Sequence, residues 1–213
     1  MSRLLTMTSA AEQRRSKQTS QPTTDEAVWQ SALRVRPDRG NGDSANVCID
    51  MRQRGNLTTR MKDYCEWLNA QCAVLTNHGR CGIRLYSIDM SKNDLSDNDL
   101  KLLAKTVLTI CPRVRVLMLF GNLLSDPAPF VAAIHRGHLR ELHLSGNNFS
   151  ESAVGEIILA AATAKTADGD WAFPASGDAP GDTPLWLRLE NQRGSVGGTI
   201  PAETSKAICE AGR

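Results

Sequence analysis

Three segments of this chain can be laid over one another, and no other feature restricts its folding as tightly. The first carries Leu85, Ile88, Met90, Asn93 and Leu95; the second Val114, Leu117, Leu119, Asn122 and Leu124; the third Leu139, Leu142, Leu144, Asn147 and Phe149. Each ends on a serine followed by an acid: Ser96 and Asp97, Ser125 and Asp126, Ser150 and Glu151. The alternating aliphatic positions predict a short strand whose inward side chains share one core. The asparagine falls where the chain leaves the strand and its backbone loses sheet partners. Its amide donates and accepts at once, so it can satisfy those groups within its unit and in the next. The serine is then placed as a helix N-cap, with the acid favoured at the positive helix end.

Helical patterns follow each segment: Leu100, Leu103, Val107 and Leu108; Phe130, Val131 and Ile134; Val154, Ile157, Ile158 and Ala161. Pro127 and Pro129 fit the first turn of the second helix. Asn93, Asn122 and Asn147 lie 29 and then 25 residues apart. The chain resembles a leucine-rich repeat protein of the ribonuclease-inhibitor-like subclass over roughly residues 83–195. The resemblance implies an α/β fold: a short solenoid with parallel strands on the concave face, helices on the outer face and a helical N-terminal cap. A fourth unit is degenerate. Leu187 and Leu189 keep the strand pattern, but Gln192 stands where asparagine is expected and Pro184 where the first leucine is expected. Either Gln192 or Asn191 is its turn residue, and a helix over 201–211 with Ile208 inward would close the stack.

Outside the repeats, residues 1–24 are rich in Ser, Thr, Gln and Arg with Glu12 as their single acid, and predict a disordered basic tail. Residues 25–56 read as a short helix over 25–35, packing on the domain through Val28, Trp29, Ala32 and Leu33, then a loop over 37–46. Residues 57–82 read as the helical N-terminal cap, with Leu57, Met61, Tyr64, Cys65, Leu68 and Cys72 on one face and an end near Asn77, His78 and Gly79. Three repeats occupy 83–164, an exposed loop 165–183, and the degenerate repeat with the final helix 184–213.

Composition excludes several classes. The formal net charge is +2, with 41% hydrophobic, 23% charged and only 5% aromatic residues. That balance is unlike a dedicated nucleic-acid binder. Dividing the chain after residue 56 leaves the basic excess on the N-terminal side, so nucleic acid is expected, if anywhere, only at the tail. No apolar run reaches the roughly 18 residues of a membrane span, and no membrane partner is expected. Six cysteines without CxxC spacing or a secretory leader read as reduced thiols of a cytoplasmic or nuclear protein; the weakly basic, acid-poor tail leaves a mitochondrial presequence as the alternative, although it has no convincing apolar stripe. Cys65, Cys72, Cys81 and His78 lack zinc spacing, and Asp168 with Asp170 lacks an EF-hand pattern, so neither a metal nor a cofactor is expected.

Catalysis has little support in the sequence: no GxSxG, P-loop, GxGxxG after a strand or HExxH is present. Glu141 with His143 is the nearest acid–base pair, and an open surface excludes water poorly. What the resemblance implies instead is a non-catalytic module that holds a partner protein on its concave face. The outward positions there are Ser87, Asp89 and Ser91; Val116, Met118 and Phe120; Glu141, His143 and Ser145; Trp186, Arg188 and Glu190. Met118, Phe120 and Trp186 are apolar where solvent-facing residues are expected, with Asp89, His143 and Arg188 as a polar surround. These six are the expected partner-binding residues, unless the 165–183 loop or the N-terminal segment covers them. Regulation of a small GTPase, or a place as the recognition subunit of a larger assembly, are the alternatives.

Overall fold

The computed structural model describes residues 24–37, 44–54, 57–77, 82–110, 113–173, 184–193 and 201–211. The tail up to residue 23, residues 78–81 and residues 174–183 of the 165–183 segment lie outside them, so the expectations placed there are not addressed. In chain order the elements are α1 (Thr24–Ala32), β1 (Leu33–Pro37), β2 (Ser44–Asp50), α2 (Leu57–Asn77), β3 (Gly82–Asp89) and α3 (Asp97–Ile110). Then follow β4 (Val116–Met118), α4 (Ala128–His135), β5 (Glu141–His143), α5 (Glu151–Thr163), β6 (Trp186–Arg188) and α6 (Ala202–Glu210). The strands form one sheet in the order β1 to β6, parallel from β2 onward, with β1 antiparallel to β2. Each parallel crossover passes through the helical layer, where α2 packs on α3, α4 on α5 and α5 on α6.

The turns explain why these strands stack in register. Gln53, Lys92, Gly121, Gly146 and Asn191 occupy one structural position, with φ of 52°, 55°, 67°, 67° and 60°. Directly after four of them come Asn93, Asn122, Asn147 and Gln192, all buried. Asn122 Oδ1 accepts from the backbone N–H of Asn93 (3.1 Å) and Leu95 (3.0 Å), while its Nδ2 donates to the carbonyls of Met90 and Leu119. Asn147 repeats this toward Leu124, Leu119 and Leu144. Gln192 continues the series, accepting from Phe149 N and donating to Leu144 O and Leu189 O. The fourth unit therefore turns at Gln192, and the left-handed Asn191 is the residue before the turn amide.

Four expectations require correction. Residues 33–37 and 44–50 are strands β1 and β2, where a helix end and a loop were expected. Their alternation buries Val47, Ile49 and Met51 against the same core as Leu85, Ile88 and Met90. The helix after them is not a cap standing alone: α2 follows β2 as the outer helices follow their strands, and it packs on α3. The sheet edge is covered instead by β1, whose antiparallel pairing satisfies backbone groups that an open edge would expose. An aromatic cluster of Trp29, Tyr64 and Trp67, with centroids 5.5–5.8 Å apart, fixes α1 to α2.

The third correction concerns Ser125. Ser150 caps α5 through Ala153 N, and Ser96 forms a reciprocal box with Asp99. Ser125 caps nothing, because α4 begins at Ala128 behind Pro127; its N–H and hydroxyl are taken by Asp97 of the preceding unit. The fourth concerns the segment after α5. Residues 165–170 are exposed, but Ala172 and Phe173 are buried. A Lys165–Trp171 bridge folds the chain back, with the ammonium 3.1 Å from the indole centroid. In α6, Thr204 is buried and Ile208 only half-buried.

Candidate functional site

Strand register sets three rows of side chains across the concave face. Cys48, Ser87, Val116, Glu141 and Trp186 form the first, and Asp50, Asp89, Met118, His143 and Arg188 the second. Arg52, Ser91, Phe120, Ser145 and Glu190 form the third, tied by the hydrogen bonds that run from each turn to the next unit. Because the rows come from the two-residue period of five strands, their spacing is rigid.

Five of the expected six partner-binding residues are accessible on this face. Phe120 is 39% exposed and Trp186 60%, both high for large rings on a sheet. Met118 and His143 are half-buried, and Arg188 is exposed. His143 meets Trp186 edge-to-face with centroids 5.4 Å apart, and Lys92 Nζ lies 5.5 Å from the Phe120 centroid. Met118, Phe120, His143 and Arg188 line a shallow depression of about 330 Å³ together with Arg52, Ser91, Lys92 and Ser145.

Asp89 departs from expectation: it is buried, as are Ser91 and Ser145, although all three sit at outward positions. For Asp89 the reason is Arg52, whose Nε and Nη2 lie 2.9 and 2.6 Å from Asp89 Oδ2 and whose guanidinium roofs that end of the face. Asp89 Oδ1 in turn accepts from Ser91 N at 3.0 Å. Asp89 therefore positions Arg52 and does not itself meet solvent.

The electrostatics keep the centre of the face apolar. Burial holds His143 below its ordinary value, a trend that Glu141 opposes and Arg188 reinforces. Glu141 Oε1 lies 2.9 Å from His143 Nε2, but the angle is not that of a hydrogen bond, so the contact is Coulombic. Burial pushes Glu190 up, but its own backbone N–H and the Arg188 guanidinium 2.8 Å away outweigh it and hold the carboxyl below the usual range. Beside β2, Arg34 and Arg36 stand opposite Cys48 and Asn46 and add two exposed cations to the N-terminal end of the same face.

Arg34, Arg36, Arg52 and Lys92 were not anticipated as part of this surface. One signal could have found Arg52. Ile49, Asp50 and Met51 duplicate Ile88, Asp89 and Met90, so Arg52 corresponds to Ser91. The offset of 39 residues between the copies exceeds the 29- and 25-residue spacings of the three asparagine units, which hides it from a search at fixed period. Among the described residues no group of three or more His, Cys, Asp or Glu is arranged to hold a metal ion, and no helix is long and apolar enough to cross a membrane.

The family model described as Leucine Rich Repeat matches residues 138–158, which span β5, the Asn147 turn and the first half of α5. With five units repeating one turn geometry, the fold is a solenoid of alternating helices and parallel strands, a layout that fits a leucine-rich repeat. No curated protein matches the chain. Among solved structures, a tropomodulin C-terminal domain from Caenorhabditis elegans is similar at 13% identity and a TM-score of 0.43, over 78% of this chain and 80% of that one. That likeness is too loose to carry anything further, and the fold assignment rests on the repeat geometry.

Proposed function

We propose that this chain is a non-catalytic protein-interaction module that holds a partner protein on its concave sheet face, centred on Met118, Phe120, His143 and Trp186. The observation that carries the reading is the exposure of Phe120 and Trp186 on a rigid sheet where Arg52 and Arg188 are held by Asp89 and Glu190. An exposed ring costs solubility unless something covers it, and rings flanked by a polar rim are the usual composition of binding hot spots. Asp89 contributes by fixing Arg52 at the rim, and Arg188 is held by Glu190 on the other side. Outer helices α2, α3, α4 and α5 and the 29- and 25-residue spacings favour the ribonuclease-inhibitor-like subclass.

The test is affinity capture from native extract with the intact chain and with a Phe120→Asp, Trp186→Asp double variant. The proteins retained by the intact chain should be lost from the variant while its circular dichroism spectrum stays the same. Retention of the same proteins by a folded double variant removes the concave face as the binding site.

A further inference from the structure

A second surface lies on the edge of the sheet where the strands begin. Backbone bonds join Tyr86, Arg115, Arg140 and Trp186 in succession: Arg115 N donates to Tyr86 O (3.1 Å), Arg140 N to Arg115 O (2.7 Å) and Trp186 N to Arg140 O (2.8 Å). Two residues earlier in their units stand Arg84, Arg113 and His138, and Arg136 ends α4 beside them. Five arginines thus share one edge, with Glu141 the only acid among residues 82–88, 113–117 and 136–142; Asp168 and Asp170 follow α5 at the same end, beside Lys165. Arg113, Arg115 and Arg136 are exposed, and no ion pair ties them to an acid among the described residues. That they crowd one place is registered by His138, held below its ordinary value by burial and then by Arg113, Arg115, Arg140 and Arg136.

The opposite edge, where turns run into helices, carries Asp94, Asp97, Asp99, Asp126 and Glu151. Arginines thus concentrate where the strands begin, while the turn edge mixes these acids with Lys92, Lys101 and Arg193. Helix dipoles explain part of this, since cations are favoured at helix C-termini and Arg136 is the C-cap of α4. They do not explain Arg115, which belongs to the strand side.

We propose that this arginine edge binds single-stranded nucleic acid, with Arg113, Arg115 and Arg136 on its phosphates and Tyr86 as a stacking surface for a base. Three properties favour that ligand over an acidic peptide or an anionic membrane. All the cations are arginine, whose planar fork matches phosphate oxygens in pairs and also stacks on bases. Two exposed rings flank the row on its concave side, Tyr86 at 47% and Trp186 at 60% exposure, as single-strand binding requires. The cations also follow successive strands along a narrow rim, the shape of an extended chain and not of a bilayer plane.

The experiment is fluorescence anisotropy of the full chain with a labelled oligouridylate of about 20 nucleotides, over about 50 to 200 mM salt. Arg113→Gln, Arg115→Gln and Arg136→Gln together should weaken binding at least about tenfold and lower the salt slope by about 2, since each lost phosphate contact removes about 0.7. Each single replacement should give a graded part of that loss, and Tyr86→Ala should weaken binding several-fold at an unchanged slope. The basic tail is common to every variant, so an unchanged affinity and slope in the triple variant overturns the proposal. Polyglutamate or phosphatidylserine vesicles binding as tightly as the oligonucleotide, with the same dependence on the three arginines, overturns it as well. A Phe120→Asp variant leaves the three arginines and both rings of the row in place, which separates this test from that of the concave face.

Discussion

Arg52 and Asp89, 37 residues apart, meet across the boundary between the first two units, with Arg52 Nε and Nη2 on one carboxylate oxygen at 2.9 and 2.6 Å. The carboxylate is nearly enclosed, at 7% side-chain exposure, while the arginine remains 58% exposed. Removing Arg52 therefore leaves an enclosed charge whose remaining hydrogen-bond partner among the described residues is Ser91 N. Arg52→Ala is expected to cost about 1–2 kcal/mol, because a buried acceptor left unpaired costs more than the pair contributes. Asp89→Asn in the same background should restore part of it, giving a non-additive cycle in urea unfolding. Additive effects would mean that the pair is a loose surface contact.

The amide ladder sets a larger cost at the centre of the stack. Asn122 makes four hydrogen bonds, serving two backbone N–H groups and two carbonyls, and it is fully buried. Asn122→Ala should destabilise by about 2–4 kcal/mol, since those backbone groups have no access to water. Gln192→Ala, at the last turn, should cost less, about 1–2 kcal/mol, because fewer groups depend on it. Equal thermal shifts for the two variants would show that the ladder does not couple the units.

What the sequence displayed and what it concealed follow from this ladder. Asn93, Asn122 and Asn147 are legible because one chemical requirement, an amide that donates and accepts, recurs with aliphatic residues at fixed offsets. The first unit was not read because its turn uses Gln53 and Arg54, and Arg54 enters the ladder only through its backbone N–H, which donates to Asn93 Oδ1 at 3.1 Å. Nothing in side-chain type marks such a turn. Phe120 and Trp186 were readable as exposed rings because strand alternation places them. The burial of Asp89 was not, since it depends on a side chain from another unit. The arginine edge escaped notice for a related reason: charge summed along the chain cancels contributions that the fold places on opposite edges.

Asp97 makes the acid response of the fold predictable. Burial pushes its carboxyl up, but hydrogen bonds from Ser125 N and Oγ and from Asp126 N, with Lys101 nearby, outweigh that and hold it below its ordinary 3.8. A depressed folded-state value means that the unfolded chain binds the proton more readily. The contribution is thus present above about pH 3.8 and is lost as pH falls through the lower folded value. Asp97→Ala should lower the melting temperature near pH 7 and have progressively less effect in acid. A constant difference across that range would show that Asp97 does not latch the first asparagine unit to the second.

Gly155 lies within α5, where glycine is about 1 kcal/mol less favourable than alanine, so its presence asks for a cause. The cause is α6. A Cβ at Gly155 would fall on Thr204 Oγ1, which is buried, and lie 3.6 Å from Pro201 Cγ. The β-branched Thr204 has little rotamer freedom with which to yield. Gly155→Ala should therefore destabilise the C-terminal end by about 1–3 kcal/mol despite its better helix propensity. Thr204→Ala in the same chain should recover more than half of that, since it removes the atom in conflict. A single Gly155→Ala variant that melts higher than the parent would mean that α6 does not close the stack at this point.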